Sequence, residues 1–192
     1  MPNWTGNTIT LRGSKEKLAV FKQKVAGENG AFDFNKLIPM PKELRDTLAP
    51  TEVVPTQQEA DERNAAEHET LWKKNMGVDG VRFISEQEAA RREKLYGRTP
   101  DVGSFGNQPI LNWYDWARKN WGTKWNACEV EVEEYKDTLT YRFDTAWDCP
   151  RPLIKPIVSL AHELGLSIIW SADHEDGGYE DIFDSEMLED AA

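Results

Sequence analysis

The chain has 192 residues, 39% of them hydrophobic and 30% charged, with a formal net charge of −11. This composition is polar but foldable, and the length suits one domain with a core or one domain carrying a large insertion. The acidic balance argues against a domain that grips phosphate backbones through a basic footprint, and favours a basic partner or high solubility.

Residues 7–12 alternate polar and apolar, which predicts a half-buried strand. Gly13 ends it, Ser14 is a good N-cap, and Leu18, Phe21 and Val25 follow at helical spacing to a stop at Gly27. Residues 32–41 read as an extended, anchored segment, because Pro39 and Pro41 exclude helix there. From about 43 to 100 the chain is rich in Glu, Gln, Ala, Lys and Arg, with helical segments near 57–75 and 86–96 and sparse apolar positions (Ala60, Leu71, Trp72, Leu95). This stretch is expected to be a helical insertion. Residues 98–109 form a loop, and 111–121 a short helix stopped by Gly122.

The clearest supersecondary signal follows. Val130 and Val132 alternate with Glu129, Glu131 and Glu133, and Leu139, Tyr141 and Phe143 alternate with Thr140, Arg142 and Asp144. A two-residue turn at Lys136-Asp137 sets Val132 opposite Tyr141, Val130 opposite Phe143 and Glu131 opposite Arg142, so both faces match chemically. Lys-Asp is not a favoured primed turn, and a longer loop would slip the register by two. Pro150 and Pro152 introduce a second helix with the stripe Ile154, Ile157, Val158, Ala161 and Leu164, in which Pro156 fits only within the first turn. Gly165 closes it. Residues 166–173 form a last strand with Leu166, Ile168, Trp170 and Ala172 on one face.

The expected fold is therefore α+β, a ferredoxin-like βαββαβ sandwich. It forms a single domain over 1–192, with the helical insertion 43–100 after the first βα unit and an acidic C-terminal tail over 173–192.

Several blocks resemble the YubB-type ferredoxin-like family carried by plasmids, phages and other bacterial mobile elements. They are Met1-Pro2-Asn3-Trp4, Phe32 to Pro41, Trp113-Tyr114-Asp115-Trp116, Asn120-Trp121-Gly122-Thr123-Lys124-Trp125, and Phe143-Asp144-Thr145-Ala146-Trp147. The likeness covers most of the chain outside 43–100. That family has no established biochemical activity, so the resemblance implies the fold and a mobile-element origin. Cys149 and the acidic C-terminus depart from the family pattern, so a function placed at the tail would be particular to this protein.

Three constellations carry candidate chemistry. Trp113, Trp116, Trp121 and Trp125, with Arg118, Lys119 and Lys124, set three cations against one carboxylate, Asp115. They form either a stacking surface for bases or peptides, or a capping element packed on the sheet. Glu129, Glu131 and Glu133 share a strand face, read as a surface for a basic partner or a divalent metal, or as solvated charge that discourages edge pairing. Carboxylates there repel phosphates, so RNA binding on the sheet is not expected. Residues 173–192 hold nine acids and no Lys or Arg. Asp173, Glu175, Asp176, Glu180, Asp181 and Asp184, with Phe183 as an apolar anchor, suit a mimic of nucleic-acid phosphate spacing or a docking segment for a basic groove, and equally a solubilising tail.

The catalytic search is negative. The chain has no Walker A loop, GxGxxG, HExxH or nucleophile elbow, and His68, His162 and His174 share no metal-ligand spacing with cysteine. No cofactor is expected. Cys128 and Cys149 build no disulfide framework and fit a reducing compartment. No basic n-region or bilayer-length apolar run is present, so a cytoplasmic protein without membrane association is expected. The functional expectation is a non-catalytic accessory protein of a phage or plasmid. It would bind a host protein with a basic surface and antagonise a bacterial defence system, with oligomeric state unassigned. The alternatives are single-stranded nucleic-acid or nucleotide binding through the Trp block, or a metal-dependent nucleic-acid enzyme using Glu131 and Asp144.

Overall fold

A computed structural model describes residues 3–74, 80–100 and 106–185, the side chains of 69–74 excepted. In chain order the elements are β1 (Trp4–Arg12), α1 (Lys15–Val25), α2 (Phe34–Leu37), α3 (Lys42–Arg45), β2 (Thr51–Val54) and α4 (Gln57–Lys74). Then come β3 (Arg82–Ser85), α5 (Glu86–Tyr96), α6 (Trp113–Asn120), β4 (Cys128–Tyr135), β5 (Thr138–Ala146), α7 (Ile154–Glu163), β6 (Ser167–His174) and β7 (Tyr179–Asp184). The chain divides into two compact units, Met1–Pro39 with Asn120–Ala192, and Met40–Lys119.

The first unit is built on a five-stranded antiparallel sheet in the order β4-β5-β1-β6-β7. Strict alternation buries Thr5, Asn7, Ile9 and Leu11 of β1, Leu139, Tyr141, Phe143 and Thr145 of β5, and Ile168, Trp170 and Ala172 of β6. Helix α1 starts where Ser14 accepts the Lys17 N–H, and it turns Leu18, Phe21 and Val25 inward. The Phe21 ring meets Tyr141 at 6.2 Å between centroids, and Phe32 lies 5.0 Å from both Tyr141 and Phe143. Truncating any one of these buried rings removes an aromatic contribution of about 3–5 kcal/mol. Helix α7 buries Ile157 and Ala161, and its Pro156 lies in the first turn, where the missing N–H has no intrahelical role.

Two positions explain why the quoted blocks are specific. Gly122 has φ +78, and a Cβ there would sit 2.8 Å from Pro152 Cδ, so a side chain is excluded by both backbone and space. Asp33 is buried and among the described residues accepts five hydrogen bonds, from Asn126 Nδ2 (2.7 Å), the Asn35 N–H (3.0 Å), Asn29 Nδ2 (3.1 Å), the Asn29 N–H (3.3 Å) and Asn35 Nδ2 (3.3 Å). Asn126 in turn accepts the Phe34 and Ala127 N–H groups, so one carboxylate ties the segment before α2 to the approach to β4.

Four expectations differ from the structure. Residues 34–37 of the extended segment form one helical turn, because Asp33 caps it and both prolines fall after it. A β-bulge lies between Cys128 and Glu131, with Glu129 at φ +47. Val132 therefore faces Tyr141 and Glu131 faces Arg142, whereas Cys128, not Glu129, faces Asp144 and Val130 loses its place opposite Phe143. The 43–100 stretch contains strands as well as helices. Within 173–192, Asp173 and His174 complete β6, and residues 179–184 are the fifth strand, while 186–192 lie outside the described residues.

The second unit holds the parallel pair β2–β3, connected through α4. Asn64 of α4 grips β3 at both backbone groups of Phe83, donating to its carbonyl and accepting its N–H at 2.8 Å each. Ser85 caps α5 by accepting the Glu88 N–H, and Ile84, Ala89 and Leu111 form an apolar cluster. Hydrogen bonds from Arg91 and Arg92 hold the Glu88 carboxyl down to about 2 against the opposing cost of burial.

Two substitutions test the first unit. Burial raises the Asp33 carboxyl, but its hydrogen bonds, led by that of Asn126, lower it further, so its net shift is downward. A depressed folded-state value stabilises the fold above the unfolded carboxylate range, near pH 4, and that contribution fades as pH falls through the folded value. Asp33→Asn turns an amide toward existing donors and is expected to lose about 2 kcal/mol at pH 7, a deficit that narrows in acid, read by denaturant unfolding. The Tyr141 hydroxyl is buried and has no hydrogen-bond partner among the described residues. Tyr141→Phe is therefore expected to gain about 1 kcal/mol in the same assay.

Candidate protein-binding face

Alternation that sends the core residues of the sheet to one side sends another set to the opposite face. Its rows follow from the register. One runs Glu131, Arg142, Thr8, Ser171, Asp181 from β4 to β7, and the next runs Glu133, Thr140, Thr10, Ile169, Asp184. A third runs Cys128, Asp144, Gly6, Asp173, Tyr179. The centre is hydroxyl-rich, and carboxylates stand at both edge strands and on both sides of Gly6.

Among the described residues the face carries Arg142 and Arg12 as its cations. Arg142 donates to Glu133 at 3.0 Å, diagonally across the β4–β5 ladder, and Arg12 occupies the row of Thr138 and Ser167. An exposed pair of this kind contributes little to stability. Gly6 places no side chain between Asp144 and Asp173; a Cβ there would lie 3.7 Å from Asp144 Oδ1. Burial pushes the Asp144 carboxyl up, and the charge of Glu129 at the bulge pushes it further. Burial, then Asp144 and Glu129, raise the Cys128 thiol in the same way. Among the described residues neither Asp144 nor Asp173 has an ion-pair or hydrogen-bond partner.

The face gathers Glu131, Glu133, Asp173, Asp181 and Asp184 from the expected partner-binding set, with Glu129 beside them at the bulge. The other four have local roles. Glu180 opposes Ala172 on the core side and is gripped by Arg151 at 2.7 and 2.9 Å, with His174 Nε2 at 3.7 Å. Phe183 opposes Trp170 and is half-buried on that same side, so it is no anchor for a partner on the acidic face. The Glu175 carboxylate accepts the Trp4 N–H at 2.9 Å, and Asp176 accepts the Gly178 N–H at 3.1 Å within the β6–β7 turn. Asp144 belongs to the face through its row rather than through the metal reading. Thr8 and Thr10 were missed, although the alternation of β1 already placed them opposite its core residues.

Of the expected stacking residues, Trp121 in the first unit is buried, donates from Nε1 to the Ile38 carbonyl at 2.9 Å and sits edge-on to Phe34. Trp125 is half-buried and stacked on Trp4 at 5.9 Å, with Lys124 Nζ 4.3 Å from its ring centroid. In the second unit Trp116 is buried and Trp113 meets Tyr114 edge-on, with Arg118 over the Tyr114 ring and Lys119 donating to the Tyr96 carbonyl. Trp116 and Trp121 are core residues and present no indole face to a ligand. Glu131 and Asp144 stand in different rows, and among the described residues no three His, Cys, Asp or Glu side chains converge as a metal site. No described helix is long and apolar enough to cross a membrane.

No family model and no curated protein sequence matches the chain. Among solved structures it is similar to the crystal structure of a protein api92 from Yersinia pseudotuberculosis, of family-model DUF1281, with 13% sequence identity over 96% of each chain and a TM-score of 0.44. Likeness at that level says nothing about chemistry.

The raised Asp144 carboxyl gives a signed prediction. A carboxylate whose folded value lies above its unfolded value opposes folding once ionised, so stability is lost as pH rises through that interval. Asp144→Asn is expected to stabilise the protein at pH 7 and to leave it unchanged near pH 3, measured as the difference in denaturant midpoints.

Proposed function

We propose that the protein is a non-catalytic accessory protein of a phage or plasmid that binds a basic host protein through the acidic sheet face, and in doing so antagonises a bacterial defence system. The carrying observation is the gathering of Glu131, Glu133, Asp144, Asp173, Asp181 and Asp184 on one face from four strands. A carboxylate-lined surface speeds encounter with a basic partner and makes association fall with salt. Three further observations support the reading. The order β4-β5-β1-β6, with a helix-containing connection after β1 and another before β6, fits the expected ferredoxin-like pattern, to which β7 is an added edge strand. The YubB-type resemblance is the ground for the mobile-element setting. The same carboxylates disfavour single-stranded nucleic acid on this face, and the burial of Trp116 and Trp121 removes two of the aromatic faces that the nucleic-acid reading required.

The test is capture of host proteins by the full chain at low and high salt. The Glu131→Lys/Asp181→Lys variant is compared with a Glu28→Lys/Glu163→Lys control whose changes lie off the face. A specific protein retained at low salt by the wild type and the control, released by salt and lost from the face variant, is the expected result. Equal retention by both variants, or no capture at low salt, removes the proposal.

A further inference from the structure

Within this acidic chain, three lysines surround one recess of about 490 Å³ between α1 and the β4–β5 hairpin. Lys15 and Lys22 come from α1 and Lys136 from the turn, while Leu18, Ala19 and Thr138 supply the remaining wall and Glu134 is its one carboxylate. The recess is tied at two points. The Gly13 N–H donates to the Asp137 carbonyl at 3.0 Å, joining the β1–α1 corner to the hairpin turn. Lys22 pairs with Glu134, joining α1 to β4. That pair answers the charge of Lys22. Among the described residues neither Lys15 nor Lys136 is held in an ion pair, although the Lys15 charge also acts on Glu16 beside it, and the Lys136 ammonium stands 5.0 Å from the Tyr135 ring centroid.

Lys136 also stands where its backbone disfavours it. Its φ is +55, in the left-handed region that a hairpin turn fills most readily with Gly or Asn. The cation lining the recess therefore occupies a position where glycine would stabilise the hairpin more.

We propose that this recess binds the phosphate monoester group of a small molecule. Two ammonium groups outside any ion pair match a dianion, and lysine recognises phosphate as a point charge needing no fixed plane. Leu18 and Ala19 give the body of the ligand an apolar contact, and the volume lies in the range of small-molecule sites. The site shares Thr138 with the last row of that face but none of its carboxylates, so it stands or falls independently of the proposed function.

The experiment is an amide-resolved NMR titration of the full chain at low salt with adenosine 5′-monophosphate, inorganic phosphate and uncharged adenosine. The monophosphate is expected to shift the amides of Lys15, Ala19, Lys136 and Thr138, phosphate to shift them more weakly, and adenosine to leave them in place. Lys136→Gly is expected to melt at a higher temperature than the wild type yet bind the monophosphate about tenfold more weakly, the scale of one hydrogen bond to a charged group. Lys15→Gln is expected to weaken binding in the same direction. Because Lys136→Gly gains stability, its loss of binding cannot come from misfolding. The proposal is overturned by an absence of shifts up to about 10 mM monophosphate, ten times a weak 1 mM affinity. It is equally overturned by shifts that adenosine reproduces, by phosphate binding without monophosphate binding, or by binding undiminished in Lys136→Gly.

Discussion

The first unit depends on β1 being paired on both sides at once. Ile9 lies opposite Tyr141 on one neighbour and Trp170 on the other, and Leu11 lies opposite Leu139 and Ile168. All of these side chains are buried. A slip of one residue in either ladder would turn an apolar set outward and a hydroxyl set into the core, so neither ladder can move. Once that parity is fixed, the opposite face has no freedom either. Thr8, Thr10, Arg142, Asp144, Ser171 and Asp173 stand together because Ile9, Tyr141, Phe143, Trp170 and Ala172 must.

The same constraint explains what the quoted blocks do. Phe32 and Phe143 fill the aromatic core, and Asp33 organises the loop between them and Asn126. The Thr123 hydroxyl donates to the Ala146 carbonyl at 2.9 Å and accepts the Ala146 N–H at 3.1 Å. Asn7 donates to Thr145 at 2.9 Å and accepts Trp170 Nε1 at 3.3 Å, joining three strands inside the core. Buried polar groups satisfied in this way fix one arrangement of the chain ends around the sheet. Phe32, Asp33, Phe34, Trp121, Thr123, Phe143 and Thr145 of those blocks are buried and hold the first unit together.

Elements with a repeating period were legible in the sequence. The alternation of β1, β5 and β6 and the 3.6-residue spacing of α1 and α7 follow from one-sided burial, and burial is what hydrophobic patterning records. Short or irregular elements were not. Thr51–Val54 and Arg82–Ser85 are too brief to show a period and pair only with each other. Opposite Trp170 and Ser171 of β6 the register shifts by one extra residue of β7, Ile182, which interrupts its alternation, so Phe183 and Glu180 fall on the core side while Asp181 and Asp184 face out. Composition alone made that strand look like a tail. The Glu129 bulge erased one position of an otherwise legible acidic strand for the same reason. The lysine recess had no sequence signal, since Lys15 and Lys136 meet only through the fold.

The acids of the sheet face admit two explanations, and their positions separate them. Charges on β4 and β7 discourage another strand from pairing with an open edge, and Glu131, Glu133, Asp181 and Asp184 meet that need alone. Asp144 and Asp173 do not, because β5 and β6 are paired on both sides and have no edge to protect. Their carboxylates flank Gly6, where an intervening side chain would have screened them, and the Glu129 charge adds to the burial cost of Asp144. Solubility requires negative charge but not at these positions, and other exposed sites would carry it without the burial cost that falls on Asp144. A cationic group approaching across Gly6 would relieve that opposition at the moment of contact. The interior pair therefore favours a face built to meet a basic partner over one that only resists aggregation.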